Sequence, residues 1–324
     1  MKRCMMLSLI IVLVMFLAVT GCSRKEKTFF SIATGSTGGA YYPIGGVLAQ
    51  ILNQYVPGTS VAAQTGNASV ANCNLIRNHE IESAFAQNNV AYWAYKGTEI
   101  FAGKKSVDNM RAIASLYPET IQIVARKSAN IDKVSDIKGK RVVVGAPGSG
   151  TEIDARKLLV AHGITYDDIK EDFLDFGGAA QRLKDGQADA AFVTAGYPTS
   201  SVIDLSATTD IVLVPIEPEM IDKLIAESQY YTKTVIPGKT YSGINADVPT
   251  LNLMALWIVD AEQPTELIYR FTKALWKYRD ELEKVHDKCK DITFSTALDG
   301  LGIPLHPGAE KYYREMSHPK LINR

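Results

Sequence analysis

Hydrophobic positions along the chain follow two periods in alternation. Short apolar runs such as Phe29–Thr34 and Arg141–Val144 have the composition of buried strands, and each leads into a glycine-rich loop. After the first loop, apolar residues recur every three or four positions, as expected for one face of a helix: Ile44, Val47, Leu48, Ile51 and Tyr55. Strands that alternate with helices in this way predict an α/β protein.

The order of strand, glycine-rich loop and helix occurs twice. Gly35–Gly39 opens a helix in the first half of the chain, and Gly145–Thr151 opens one in the second half. In each half a later apolar strand ends in a polar tip, at 87–89 and at 194–198. The repeated order predicts two lobes of related architecture.

Two apolar runs, Ile121–Arg126 and Leu253–Val259, flank the second repeat and are predicted to be paired crossover strands that form a hinge. We therefore expect lobe 1 to comprise 28–120 plus 254–324, and lobe 2 to comprise 121–253. After Pro264 a helix is predicted with a seam of apolar residues that runs to Val285. That seam favours packing against its own lobe over a dimer zipper, because it spans under three heptads.

The N-terminus has the pattern of an export signal. A basic start is followed by an almost uninterrupted apolar run, Met5–Val19, which is short for a membrane span and suits a secretory signal. The run ends in small residues before Cys22, which resembles the lipobox of bacterial lipoproteins. We expect 1–21 to be a lipoprotein signal peptide, Cys22 to be lipidated and 22–27 to be a tether. The alternatives are a plain signal peptide and, less favoured because the run is short, a retained membrane anchor. The protein is then extracytoplasmic and anchored to the membrane by lipid.

Composition narrows the function classes. The 324 residues include 35 Lys plus Arg against 35 Asp plus Glu, with 46% hydrophobic residues. These values are typical of a soluble globular protein, and the balanced charge argues against a nucleic-acid partner. Cys73 and Cys289 are the two cysteines outside the N-terminal segment. Outside the cytoplasm they can pair or can each be a small buried side chain, and the sequence leaves both open.

Both glycine-rich loops predict anion binding. A helix N-terminus offers unpaired N–H groups and a partial positive charge, and the loop hydroxyls add donors. Two such loops that face each other across a cleft can hold a small carboxylate without an arginine. For Ser149 alone, helix capping is an equally good interpretation, because 149–152 matches a capping box. The tip residues 87–89 and 194–198 are expected to line the cleft, and Tyr41 and Tyr42 are candidates for its wall.

Enzyme motifs do not match this sequence. The segment Gly145–Gly150 has the spacing of a P-loop, but Thr151 occupies the position of its lysine. The third glycine of a dinucleotide fingerprint is replaced by Ile153, and the sequence contains neither GxSxG nor HExxH. We expect no catalytic residues, no cofactor and no metal.

Several segments resemble the TAXI family, the extracytoplasmic solute receptors of one branch of TRAP transporters. The matching segments follow one another over nearly the whole chain after the signal: Thr34–Gly45, Gln87–Tyr92, Gly139–Val142 with Gly148–Thr151, and Ile303–Glu310 continued by Tyr312–Glu315. The resemblance implies a two-lobed periplasmic-binding-protein fold of type II that closes on its ligand. It also implies delivery of the ligand to a TRAP permease, usually one fused polypeptide driven by sodium.

The resemblance implies a small carboxylate ligand such as glutamate or 2-oxoglutarate. The binding residues that it implies come from both loops and one strand tip: Ser36, Thr37, Gly38, Tyr42, Gln87, Asn89, Gly148, Ser149, Gly150 and Thr151. Family members often carry an acidic residue where this chain has Asn89, which favours a dicarboxylate without an amino group. The alternatives are a substrate-binding protein of an ABC importer or sensor and, less favoured, a secreted nucleotide-binding enzyme.

Overall fold

The structure, a computed structural model, describes residues 27–322. The predicted signal peptide 1–21, the lipidation site Cys22 and the tether up to residue 26 lie outside the described residues. Within the described part, no helix has both the length and the apolar character needed to cross a membrane.

The described strands belong to one mixed sheet. They are β1 Thr28–Ala33, β2 Thr59–Gln64, β3 Ser83–Gln87, β4 Met110–Arg126, β5 Arg141–Val143, β6 Lys170–Asp172, β7 Ala190–Ala195, β8 Ile211–Leu213, β9 Thr232–Ile236 and β10 Val248–Asp260. The strand order is β2-β1-β3-β10-β4-β7-β5-β6, with β8 paired to β4 and β9 paired to β10.

Helices connect the strands and follow the last one. They are α1 Tyr41–Tyr55, α2 Ser69–Arg77, α3 Asn88–Lys96, α4 Gly150–Ala161, α5 Phe176–Lys184, α6 Ser200–Ser206, α7 Pro218–Glu227, α8 Thr265–Lys277, α9 Asp280–Glu283, α10 Pro307–Glu315 and α11 Pro319–Ile322. Two parallel sets of strands, β1–β3 and β5–β7, lie on opposite sides of the central strands β4 and β10. We use lobe 1 for the side of β1–β3 and lobe 2 for the side of β5–β9.

Strands β4 and β10 run through both lobes. Residues 255–259 of β10 pair with β3, whereas 248–252 pair with β9. Residues 120–125 of β4 pair with β7 of lobe 2. The predicted crossover runs 121–126 and 253–259 are thus only parts of longer strands. The sequence pattern missed the first half of β4 because Pro118 and Glu119 interrupt its apolar run.

Each lobe has its own apolar core. In lobe 1, β1 packs against α8, and Phe30 meets Phe271 edge to face with ring centroids 4.8 Å apart. In lobe 2, Ile123 and Phe192 pack with Leu159 of α4. Because each core is completed by its own helices, the strands β4 and β10 are the continuous covalent link between the lobes.

Helix α8 packs within lobe 1, as predicted, since Ile268, Phe271 and Leu275 are fully buried there. The predicted continuous seam to Val285 is wrong. The helix ends at Lys277, because Tyr278 leaves the helical conformation and stacks on Tyr55 at 3.4 Å between ring centroids.

The two cysteines of the described chain are not bonded to each other. Cys73 and Cys289 are both fully buried and free, and they lie in separate apolar clusters of lobe 1. Burial raises the pKa of each thiol to about 12, which keeps both thiols protonated. Of the two possibilities left open by the sequence, they are small buried side chains.

Candidate functional site

A cavity that is partly open to solvent lies where the two lobes meet. Its walls come from the loop after β1, the segment before α2, the loop before α4 and the start of α5. The ends of β3 and β7 and the middle of β4 complete it through Gln87, Thr194 and Glu119. The parallel strands of both lobes direct their carboxyl ends here, which is the usual place for a ligand in an open α/β sheet.

The N-terminus of α4 forms one wall of the cavity. Ser149 is its N-cap, and the Ser149 hydroxyl oxygen accepts a hydrogen bond of 3.1 Å from the Glu152 N–H. The Thr151 hydroxyl oxygen accepts one of 3.3 Å from the Thr194 N–H. Both hydroxyls keep their own proton for donation, and the first N–H groups of the helix have no partner within it. This wall can therefore bind an anion.

A buried carboxyl group forms another part of the cavity. Glu119 of β4 is 3% exposed, and its Oε2 accepts a hydrogen bond of 2.8 Å from the hydroxyl of Tyr41. Burial is the main reason why the pKa of Glu119 rises to about 8, although the Tyr41 bond opposes the rise. Burial and the nearby Glu119 likewise raise the pKa of Tyr41.

A second buried carboxyl group lies behind the cavity and joins the lobes. Asp154 of α4 is fully buried and accepts hydrogen bonds from Gln87 Nε2 at 2.9 Å and from the Tyr231 hydroxyl at 3.0 Å. Asn89 Nδ2 donates a third hydrogen bond, of 3.4 Å, to Oδ1, the oxygen that also accepts from Tyr231. Burial raises the pKa of Asp154 to about 7 even though these donors lower it. Because Gln87 and Asn89 belong to lobe 1, this group fixes lobe 2 against lobe 1.

Backbone contacts also join the lobes. The carbonyl of Gly148 accepts hydrogen bonds of 3.0 Å from the N–H groups of Val70 and Ala71 at the start of α2. The carbonyl of Gly38 accepts one of 3.2 Å from the Ser201 N–H at the start of α6. Such bonds form only when the lobes are close together, so the structure is a closed form.

Five of the predicted site residues line the cavity: Ser36, Gln87, Ser149, Gly150 and Thr151. The Ser149 hydroxyl oxygen caps α4, which was the alternative interpretation, and the residue borders the cavity as well.

The other predicted site residues lie outside the cavity. Thr37 and Gly38 border a separate surface depression beside α5 and α6, and Gly148 contacts α2 through its carbonyl. Tyr42 is 37% exposed, while its neighbour Tyr41 faces inward, because one helical residue turns the side chain by about 100°. Asn89 is fully buried beside Asp154 rather than in the cavity.

Sequence reasoning missed the buried carboxyl groups of Glu119 and Asp154. Glu119 interrupts an otherwise apolar run, and Asp154 follows Ile153 on a helix with a buried start. A lone acidic residue in an apolar pattern was the available signal, because an ionised group is buried only where it has a partner or a function. Among residues 27–322, His, Cys, Asp and Glu side chains form no group of three that could hold a metal ion.

Comparison with known proteins finds one matching family and several solved structures of similar fold. A family model described as the NMT1-like family matches residues 32–316. PhnD1 from Prochlorococcus marinus (MIT 9301), solved in complex with methylphosphonate, is 10% identical with a TM-score of 0.56 over 90% of this chain and 98% of its own. The alkanesulfonate-binding protein SsuA from Xanthomonas axonopodis pv. citri, bound to MOPS, is 15% identical with a TM-score of 0.50 over 90% and 92%.

A third similar structure is a binding protein component of an ABC phosphonate transporter from Pseudomonas aeruginosa. It is 13% identical with a TM-score of 0.52 over 85% of this chain and 84% of its own. At these identities the likeness concerns the fold. The chain has the two-lobed, mixed α/β fold of periplasmic binding proteins, as predicted.

Proposed function

The chain belongs to the NMT1-like family, and from this premise we propose that it is an extracytoplasmic solute-binding protein, not an enzyme. The observation that carries the proposal is the cavity between the lobes, which has the N-terminus of a 12-residue helix as one wall and hydrogen bonds between the lobes around it. The ligand is a small molecule with an anionic head, and a membrane transporter receives it.

Binding follows closure of the two lobes. In the open form, the α4 N-terminus and the loop after β1 belong to separate lobes, so an anion can contact only one of them. In the closed form both reach it, and the ligand shifts the equilibrium because it binds the closed form more strongly. Strand β4 takes β7 as a partner from residue 120, and β10 changes partner between residues 252 and 255. Both changes lie within two residues of boundaries at 120/121 and 253/254, so we keep 28–120 plus 254–324 as lobe 1 and 121–253 as lobe 2.

The cavity favours a ligand with one anionic head. Its lining residues include no Lys, Arg or His, so the α4 N-terminus and the hydroxyls are the donors for that head. A carboxylate fits these donors, and so does a sulfonate or phosphonate, which two similar structures hold or are named for. The lining residues offer one set of helix N–H groups and hydroxyls and no Lys, Arg or His for a second anionic group, so we propose the single head.

Two classes of transporter are candidates for the partner. An ABC importer is supported by the Pseudomonas aeruginosa structure, which is a component of such a transporter. A sodium-coupled TRAP permease is supported by the motif 34–45. Uptake by cells carrying the protein separates them, because removal of sodium stops only the TRAP class and depletion of ATP with an intact ion gradient stops only the ABC class.

The tether remains part of the proposal. The apolar run before Cys22 supports export and lipidation at that residue. Labelling with a radioactive fatty acid tests it: the wild-type protein should be labelled, and Cys22→Ala should not. Label that survives this substitution would refute the lipid anchor.

Calorimetry and small-angle X-ray scattering of the purified protein test the binding function together. The panel contains carboxylates, sulfonates, phosphonates, sugars and nucleotides. We expect binding of at least one small anion with a decrease in the radius of gyration, since closure brings the lobes together. Binding of nucleotides alone, or anion binding without any change in shape, would refute the proposal.

A further inference from the structure

Glu119 has one hydrogen-bond partner although its carboxyl group has two oxygens. Oε2 receives the Tyr41 hydroxyl, whereas Oε1 accepts a hydrogen bond from none of the described residues. The residue is 3% exposed and lines the cavity. Oε2 is therefore occupied by a hydrogen bond within the protein, whereas Oε1 is available to a ligand in the cavity.

The surroundings of Glu119 determine what that oxygen can accept. No lining residue carries a positive charge, and the side chain of the other acidic lining residue, Asp175, caps α5 by accepting from the Gly178 N–H at 2.8 Å. A buried carboxylate without a cation or a second donor is unfavourable, and a positively charged donor that binds to it offsets part of that cost. Oε1 is not one of the fully enclosed polar atoms that lack a partner, so it is open to the cavity, where a ligand can supply one.

We propose that Glu119 determines specificity by accepting a hydrogen bond from an ammonium group of the ligand, whose anionic head binds the N-terminus of α4. The inference rests on the proposed function and narrows its ligand to a small zwitterion. It also reverses the expectation that Asn89 favours a ligand without an amino group, because Asn89 lies outside the cavity and Glu119 supplies the acidic partner instead.

The protonation state of Glu119 supports this assignment, and its change on ligand binding can be measured. The pKa of Glu119 is raised to about 8. The titratable groups that interact electrostatically with its carboxyl group are Tyr41, Tyr117 and Asp154. Without ligand the carboxyl group holds its proton at neutral pH, and an ammonium group favours the ionised form. Binding of a zwitterion should therefore release a proton, whereas an anionic group placed at Glu119 would retain it.

The test uses three pairs of probes that share an anionic head and differ in an amino group: glycine and acetate, taurine and ethanesulfonate, and 2-aminoethylphosphonate and ethylphosphonate. Calorimetry at pH 7 measures affinity, and two buffers with different ionisation enthalpies measure proton release. We expect the preferred head to bind roughly 10- to 100-fold tighter with the amino group than without it. Glu119→Gln should reduce that ratio to below about threefold and abolish proton release.

Glu171→Gln is the matched control, because it makes the same change at an exposed glutamate of β6. It should leave both the ratio and the proton release unchanged. Equal or tighter binding of the amino-free probes, no binding of any amino probe, or an unchanged ratio in Glu119→Gln would each overturn the inference. Amino-free probes that bind as tightly as their amino partners and close the lobes would overturn it while the binding function stands.

Discussion

Gly150 permits the closed form, and replacing it with alanine should prevent full closure. A methyl group at this first residue of α4 would overlap the carboxamide of Gln87 and lie 3.0 Å from Ser69 Oγ. Gln87 is 2% exposed and bonded to Asp154, so it can move aside only by breaking that 2.9 Å hydrogen bond. The overlap exists only when the lobes are together, so the open form should be unaffected.

The size of the effect follows from the lost bond. A hydrogen bond to a charged group contributes about 1.5–3 kcal/mol, and its loss from the closed form lowers ligand affinity by roughly 10- to 100-fold. Calorimetry with the best anion of the panel measures the affinity, and small-angle scattering with saturating ligand measures closure. We expect the Gly150→Ala protein to bind weakly and to retain a larger radius of gyration.

Gly46→Ala is the control for this substitution. Gly46 lies within α1, where an added methyl group meets nothing within 4 Å. Alanine there should stabilise the helix by about 0.5–1 kcal/mol and leave ligand affinity unchanged. If Gly150→Ala binds as tightly as the wild type and closes to the same radius of gyration, then the contact between Gln87 and α4 does not control closure, and the reasoning fails.

Three further predictions concern the site and the fold. Thr151→Ala should weaken anion binding by about tenfold in calorimetry because it removes a hydroxyl donor from the cavity, whereas Thr37→Ala should not weaken it, and equal effects would contradict the assignment. Glu119 and Asp154 have raised pKa values of about 8 and about 7, so the folded state binds protons that the unfolded chain has released. The free energy of unfolding of the ligand-free protein, measured with urea, should therefore fall as pH rises from about 5 to about 8, and a flat profile would contradict this. Asp189 accepts hydrogen bonds from two arginines, which hold its pKa well below the usual range. Asp189→Ala should lower the free energy of unfolding by about 2 kcal/mol at neutral pH, and the difference from wild type should shrink on acidification.

Local signals predicted the elements that carry the site. The apolar strands, the glycine-rich loops and the helix starts each depend on a few adjacent residues, so the sequence reveals them directly. The loop before α4 is an example, because the capping serine, the glycine and the threonine of 149–151 all border the cavity. The packing of α8 against its own lobe was likewise predicted from the spacing of its apolar residues.

Long-range pairing could not be predicted in the same way. Tyr41 meets Glu119 across 78 positions of sequence, and Gln87 meets Asp154 across 67. Which residue of a helical pair faces inward depends on where the helix begins. The sequence therefore left both Tyr41 and Tyr42 as candidates for the wall, and Tyr41 is the one that lines the cavity. Glu119 belongs to a strand whose first half was not predicted at all, and its carboxyl group was therefore never placed in the cavity.

The position of Glu119 connects recognition with closure. It lies opposite Leu253, directly before the point at which β4 takes β7 as its partner, so it belongs to the strands that both lobes share. A group on these strands moves little when the lobes rotate about them, whereas the α4 N-terminus approaches with lobe 2. A ligand whose ammonium group binds Glu119 therefore presents its anionic head to the approaching N-terminus of α4. Only the closed form makes both contacts. Recognition at the shared strands and anion binding by the moving helix together make closure depend on a ligand that carries both groups.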